Sequence, residues 1–187
     1  MPLFLSGVFA HGELSTGNTY SMNFVDIDGN KHSTADGHVT IVVLTTSADR
    51  EQARTVGDHV PDFCLGNPAY RMITVVHFTG AHMAMGRRIA AAFIRHRVGE
   101  AAKRLQTRYD AQKISRDAKR DIIVVTDFDG TVASQLGQAA GATDFCVFVF
   151  GKGGELLAQW HTVPGEGELA ATIKKSDYHR GFKPAEN

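Results

Sequence analysis

Residues 38–45 read HVTIVVLT, a stretch in which apolar and β-branched side chains occupy both faces of the strand that they predict. A strand that is apolar on both faces is typical of the centre of a sheet covered by helices on both sides. Two further apolar strands are predicted at residues 70–78 (YRMITVVHF) and 121–127 (DIIVVTD). We therefore expect a fold built around a central sheet.

The remaining segments predict how the chain surrounds that sheet. In chain order they are a hairpin arm at 20–28 with a turn at 28–30, a helix capped by Ser47 or Asp49 and running to about His59, one long helix or two abutting helices at 82–113, a short helix after 127, strands at 145–150 and 155–163 joined by a glycine-rich turn, and a closing helix after 165–168. This order predicts an α/β fold with a mixed sheet and helices on both faces.

The composition predicts one domain and narrows the class of function. With 187 residues, 43% of them apolar, the chain can bury one sizeable core. Lys+Arg and Asp+Glu both number 20, which disfavours a nucleic-acid or membrane-surface protein. No apolar run approaches the ~20 residues of a membrane span, and the short apolar start lacks the basic residues of a signal peptide. We expect a single domain over 1–187 with its core at about 17–175, tails at 1–16 and 177–187, and a cytoplasmic location unless an export signal has been removed.

Three phrases resemble the redoxin group of the thioredoxin fold, which includes the peroxiredoxins. They are residues 24–30 (FVDIDGN), 127–137 (DFDGTVASQLG) and 148–156 (FVFGKGGEL), and they occur in the family's order. The resemblance implies a three-layer α/β/α fold with a mixed central sheet and an N-terminal β-hairpin.

The resemblance also implies where the family's chemistry would lie, at the helix that follows the strand ending at Thr45. A helix N-terminus lowers the pKa of a cysteine there. Thioredoxins carry Cys-x-x-Cys at this place and peroxiredoxins carry Pro-x-x-x-Thr-x-x-Cys, whereas residues 42–50 read VVLTTSADR. Thr46 matches the family's threonine, but Val42 replaces the proline and Asp49 replaces the cysteine. The proline that precedes the fourth core strand of thioredoxins is also missing, so the usual thiol activity is not expected.

We therefore predict a binding or assembly module that acts without a cofactor and is redox-inactive at the family position. Its candidate binding residues lie at the family's active-site position and are Thr46, Ser47, Asp49 and Arg50. The partner is expected to be an unidentified protein or small ligand, with a homodimer as one arrangement, and neither a membrane nor a nucleic acid is expected. Residues 86–120 contain 11 Lys or Arg and 3 acidic residues, so this basic segment could dock an acidic partner.

The alternative is a thiol oxidoreductase that uses a displaced cysteine. The sequence has two cysteines, 82 positions apart, which indicates neither a disulfide framework nor a thiolate metal site. Cys146 lies within an apolar strand and is expected to be a small core residue. Cys64 follows the first predicted helix and is the better candidate nucleophile.

Two further hypotheses involve other side chains. Residues 123–132 (IVVTDFDGTV) also resemble the first motif of haloacid-dehalogenase-type phosphatases, which would make Asp127 the nucleophile and Asp129 the acid. Only 57 residues follow Gly130, without a distal acidic pair, so a strand followed by an Asp-Gly turn is favoured. His77 and His82, near Met83 and Met85, are weak candidates for metal ligands, because their spacing matches no tight metal motif.

Overall fold

The computed structural model describes residues 13–78, 87–139 and 144–178. Its strands are β1 (Asn23–Val25), β2 (Lys31–Ser33), β3 (Val39–Thr45), β4 (Tyr70–His77), β5 (Ile123–Asp127), β6 (Cys146–Phe150) and β7 (Leu156–Trp160). Its helices are α1 (Arg50–His59), α2 (Arg87–Ala111), α3 (Thr131–Gln135) and α4 (Glu166–Tyr178). Short 3₁₀ turns occupy Asp62–Cys64 and Ala118–Asp121.

The central sheet has the strand order β5-β4-β3-β6-β7. β3 pairs in parallel with β4, which pairs in parallel with β5, while β6 and β7 run antiparallel. The predicted α/β fold with a mixed sheet and an N-terminal hairpin is confirmed. We call the side of the sheet at which β3, β4 and β5 end, and at which β6 begins, the carboxyl edge.

Both faces of β3 are buried, as its apolar sequence predicts. On one face Val42 and Leu44 pack with Phe24 of the hairpin, with Ala133 of α3 and with Leu136, which follows α3. The other face packs against α1 and α4 through a second buried cluster: Val39, Ile41, Val43, Ala53, Val56, Leu169 and Ile173. Helix α2 covers Val124 of β5 through Ile94 and Val98. The strand therefore lies at the centre of a layered fold.

Several boundaries differ from those that the sequence predicts. The hairpin strands are three residues each, because Asp26 ends the first strand by accepting hydrogen bonds from the amides of Asp28 and Asn30, both 2.9 Å long. β7 ends at Trp160, three residues early, because Trp160 pairs with Val147, the second residue of β6. Helix α2 is described from Arg87 onward, and residues 79–86 lie outside the described part.

No helix within 13–78, 87–139 or 144–178 combines the length and apolar character needed to cross a membrane.

The turn between β6 and β7 depends on a glycine. Gly154 has a φ of +85°, and a Cβ at this position would overlap the carbonyl oxygen of Tyr20. We expect Gly154→Ala to lower the free energy of unfolding by about 2 kcal/mol or more, because it adds both backbone strain and a backbone clash. Urea unfolding measures the loss. Gly153→Ala is the matched control, since a Cβ at Gly153 meets nothing within 4 Å. Equal losses in the two variants would contradict the prediction.

A partly buried guanidinium, that of Arg71, joins the hairpin to the amino ends of β3 and β4. Arg71 binds both carboxylate oxygens of Asp36 at 2.7 and 2.8 Å, and it also donates to Thr40 Oγ1 and to the Ser33 carbonyl. Burial by itself raises the pKa of Asp36, but hydrogen bonds from Arg71 and His38 outweigh it and hold the pKa far below 3.8. The charged Asp36 therefore stabilises the folded state.

This pairing predicts a pH dependence of stability. Because the folded pKa of Asp36 is lowered, its contribution is present above the unfolded value of 3.8 and is lost as the pH falls toward the folded pKa. We expect Asp36→Asn to cost about 1 kcal/mol at pH 7, a value reduced for the partial exposure of the pair, and the difference from wild type to shrink below about pH 4. Urea unfolding between pH 7 and pH 3 measures it. Asp28→Asn, at an exposed carboxylate, should cause little change, and a difference constant with pH would refute the assignment.

Candidate functional site

The carboxyl edge gathers most of the polar side chains that the sequence singles out. His77 and Asp127 are the last residues of β4 and β5 and are paired across the two strands. Thr46 and Asp49 follow the end of β3, and Cys146 begins β6 opposite Leu44. This is the edge where the resemblance implies that the family's chemistry would lie.

The junction between β3 and α1 is held by a side-chain pair. Thr46 Oγ1 donates to Asp49 Oδ2 at 2.7 Å and accepts from the Ala48 amide at 3.2 Å, while Gln52 Nε2 donates to Asp49 Oδ1 at 3.4 Å. Asp49 occupies the N-cap position of α1, but its side chain makes no capping hydrogen bond. The carboxylate is turned toward Thr46 instead. Because a carboxylate occupies the cysteine position, the junction cannot form a disulfide.

All four predicted binding residues lie on this short junction. Ser47 and Arg50 are exposed, and Thr46 and Asp49 are partly exposed. The nearest acid to Arg50 is Glu51, at 3.7 Å, and both side chains are solvent-exposed. The junction thus presents a hydroxyl, a carboxylate and a guanidinium to solvent within a few residues.

Cys64 lies away from this edge. It belongs to the 3₁₀ turn that precedes β4 and packs in the core cluster of α1 and α4, with 7% of its surface exposed. Because β4 begins at Tyr70, this turn lies near the opposite end of the sheet. Burial and position give the displaced-nucleophile hypothesis for Cys64 no support.

Cys146 is buried, as predicted, but its sulfur has polar neighbours. Gln138 Nε2 donates to Sγ at 3.3 Å, and His161 Nδ1 lies 3.1 Å from the same sulfur. Burial, followed by the charge of Asp144, raises the pKa of Cys146 to about 11. Since Cys146 and Cys64 face different core clusters, they cannot form a disulfide with each other.

The contact between Cys146 and His161 was missed in the sequence analysis. Fifteen residues separate the two side chains, and they fit no short motif. The signal was the hairpin itself, since Val147 pairs with Trp160 and this register places the residue after Trp160 beside Cys146. The sequence analysis extended the last strand to residue 163, and with that end the pairing of Val147 with Trp160 could not be predicted.

Asp127 acts as a structural cap. Its carboxylate, 1% exposed, accepts from the amides of Val132 at 3.3 Å and Ala133 at 2.9 Å, and it lies 3.0 Å from His77 Nδ1. Asp129 accepts from the amide of Thr131 at 3.0 Å. The carboxylates therefore organise the start of α3, and this geometry does not favour a phosphohydrolase.

The metal hypothesis also finds no site in the described ranges. His77 is paired with Asp127, and His82 lies outside the described residues, as do Met83 and Met85. Among the residues that the structure describes, no group of three or more His, Cys, Asp or Glu side chains could hold a metal ion.

Part of the basic segment is engaged within the fold. Arg108 donates to the carbonyls of Gly57 and Val60 and to Asp62, and Arg116 pairs with Asp121 at 2.7 Å. The segment also contains a half-exposed aromatic residue, Phe93, and the Arg97 guanidinium lies over its ring. Docking of an acidic partner on the other cations stays a prediction.

Comparisons with solved structures show the fold. The chain is similar to a thiol:disulfide interchange protein of Chlorobium tepidum (TM-score 0.53, 12% identity, 88% of this chain and 99% of that one). It is also similar to the exposed lipoprotein thioredoxin of Streptococcus pneumoniae (TM-score 0.52, 13% identity, 83% and 99%) and to a putative protein disulfide isomerase of Bacteroides thetaiotaomicron (0.50, 10%, 88% and 89%). No protein-family model and no curated protein sequence matches the chain. The chain has a thioredoxin-like fold, and at these identities the likeness shows the fold alone.

The cap at Asp127 predicts a loss of stability. We expect Asp127→Asn to lower the free energy of unfolding by about 2 kcal/mol, because the amides of Val132 and Ala133 donate to different carboxylate oxygens and a carboxamide offers only one oxygen acceptor. Urea unfolding measures the change, with Asp129→Asn as the control on the exposed side of the same turn. If Asp127→Asn had wild-type stability, the structural role would be refuted, and Asp127 would again be a candidate phosphatase nucleophile.

Proposed function

We propose that this protein is a binding module on a thioredoxin-like fold, with its ligand site at the junction of β3 and α1. The observation that carries the proposal is Asp49, which occupies the position of the family's cysteine and is held by the Thr46 hydroxyl at 2.7 Å. A carboxylate cannot form the mixed disulfide that thiol exchange requires. The chain has the thioredoxin-like fold, but at the position of the family's cysteine it has the Asp49 carboxylate, which we propose contacts a ligand.

The side chains of the junction support a polar partner. Ser47 can donate or accept a hydrogen bond, Asp49 accepts, and Arg50 offers a planar set of donors. The nearest acid to Arg50, Glu51, lies at 3.7 Å between two exposed side chains, and such a pair is worth little. Arg50 is therefore available to a carboxylate, and we propose that the ligand is an exposed acidic or mixed-charge segment of a partner protein.

The first test concerns thiol exchange. We expect the purified protein to reduce insulin disulfides, with dithiothreitol as reductant, no faster than buffer, and Cys64→Ser and Cys146→Ser to behave identically. Turnover that disappears with either substitution would refute redox inactivity.

The second test concerns the binding surface. A photo-crosslinking amino acid at position 47 should give one discrete adduct in cells, and the same group at position 58, near the far end of α1, should give none. The partner identified in this way should bind the purified wild type and lose at least tenfold in affinity for Asp49→Lys with Arg50→Glu, measured by calorimetry. Equal adducts at both positions, or unchanged affinity of the charge-reversed variant, would refute the site.

A further inference from the structure

We infer that an exposed side of α2 is a docking surface for an acidic amphipathic helix of a partner protein. This side is formed by Phe93, Arg97 and Arg104, which we call the α2 stripe. The inference goes beyond the proposed binding function, since it concerns α2 and not the junction of β3 and α1. It rests on the exposure of Phe93, on the helix face that the three side chains share, and on the positive charge that the fold leaves unpaired.

The α2 stripe follows from the helical repeat. Arg97 and Arg104 lie four and eleven residues after Phe93, and at about 3.6 residues per turn these spacings put the three side chains on one face. Ile94 and Val98, which directly follow Phe93 and Arg97, are buried against β5. The register that buries one side of α2 on the sheet therefore leaves the stripe on the solvent side.

Phe93 offers an apolar anchor on this face. Its side chain is 50% exposed, and the Arg97 guanidinium lies 5.1 Å from the centre of its ring. A single exposed aromatic residue is ordinary in a globular protein, but aromatic and arginine side chains are the ones that carry most of the energy of protein interfaces. A partner side chain that covers the ring would remove apolar surface from water and shield the cation–π contact.

The charge of the α2 stripe is only partly neutralised within the chain. Arg97 pairs with Glu100 at 3.2 Å, but both side chains are nearly half exposed, and such a pair is worth little. Arg104 and its neighbour Lys103 are exposed, and neither forms an ion pair within the part of the chain that the structure describes. The stripe is therefore complementary to a partner surface that combines an apolar side chain with carboxylates.

The spacing of the α2 stripe favours a helix as the occupant. At a rise of about 1.5 Å per residue, Arg97 and Arg104 lie about 6 Å and about 16.5 Å along the axis from Phe93. A second helix repeats its side chains at the same intervals, so an apolar residue with glutamates four and eleven positions away meets all three members. Carboxylates are stabilised toward the N-terminus of a helix, so the glutamates precede the apolar residue and the two helices run antiparallel.

Other occupants fit the α2 stripe less well. The same stripe of a second copy would bring Arg97 and Arg104 against like charges. A single-stranded nucleic acid stacks successive bases on several aromatic side chains, whereas Phe93 is the one exposed aromatic residue in the described part of α2. A helix that binds a membrane surface needs a broad apolar face, and the stripe has one apolar residue.

The test uses a synthetic helical peptide of about 18 residues, built on alanine and glutamine, with one leucine and with glutamates four and eleven positions before it. Its matched control has the same composition, with the glutamates two and nine positions before the leucine, on another face of the helix. We expect the first peptide to shift the amide NMR signals of residues 93–104 in the purified full chain at low salt, and the control to bind at least tenfold more weakly. Added salt should weaken the first complex. Equal affinities, or no binding of either peptide, would overturn the inference.

Exposed substitutions on α2 assign the contact to the stripe. Arg104→Glu should weaken binding of the first peptide at least tenfold, because it reverses the charge that faces a glutamate. Phe93→Ala should weaken it about threefold or more, because the apolar contact is lost. Arg95→Glu is the matched control, since Arg95 is exposed on another face of the same helix and should change the affinity less than about twofold. Equal losses in Arg95→Glu and Arg104→Glu, or tighter binding of a single-stranded oligonucleotide than of the peptide, would overturn the inference.

Discussion

The structure depends on the burial of β3 on both faces. Val42 and Leu44 enter one core cluster while Ile41 and Val43 enter the other, so one strand joins both layers of helices to the sheet. A strand buried on both sides must have neighbours on both edges, because its amides and carbonyls cannot reach water. β4 supplies the parallel neighbour and β6 the antiparallel one. The mixed sheet follows from that arrangement.

The same arrangement creates the carboxyl edge. Parallel β3, β4 and β5 end together, and antiparallel β6 begins where they end. Side chains distant in sequence therefore lie along one edge: Asp49 from the first junction, His77 and Asp127 from the ends of two strands, and Cys146 from the start of a third. The fold brings chemistry-bearing residues together at this edge whether or not the family's cysteine is present.

The sequence was sufficient for the architecture because the relevant signals are local. Apolar periodicity identifies β3, and Asp-Gly turns mark the hairpin and the start of α3. The absence of a cysteine between Thr45 and Arg50 is also visible without a structure. Side-chain contacts that depend on strand register or on competing hydrogen bonds were harder to predict from the sequence. Whether Asp49 caps α1 or turns to Thr46 is decided by competing hydrogen bonds of similar energy, and no sequence pattern distinguishes them.

The two cysteines illustrate the same limit. Cys64, the better candidate nucleophile of the two by its place after the first helix, lies in the 3₁₀ turn at Asp62–Cys64 and is buried in the core cluster of α1 and α4. Cys146, in an apolar strand, was correctly expected to be buried. Its neighbours, however, come from the residue after β7 and from the segment after α3. Burial of a strand residue is readable from periodicity, but its partners across a hairpin require the register.

The location of a cysteine within this fold determines the chemistry open to it. At the N-terminus of α1, backbone amides would lower the thiol pKa and favour exchange with disulfides. At the start of β6, no helix dipole opposes desolvation, and the pKa of Cys146 rises to about 11. A thiol of that kind is a poor partner in disulfide exchange, because little of it is present as the thiolate near neutral pH. The chain therefore has no cysteine at the N-terminus of α1, where the fold would lower its pKa, and has one at the start of β6, where burial raises it.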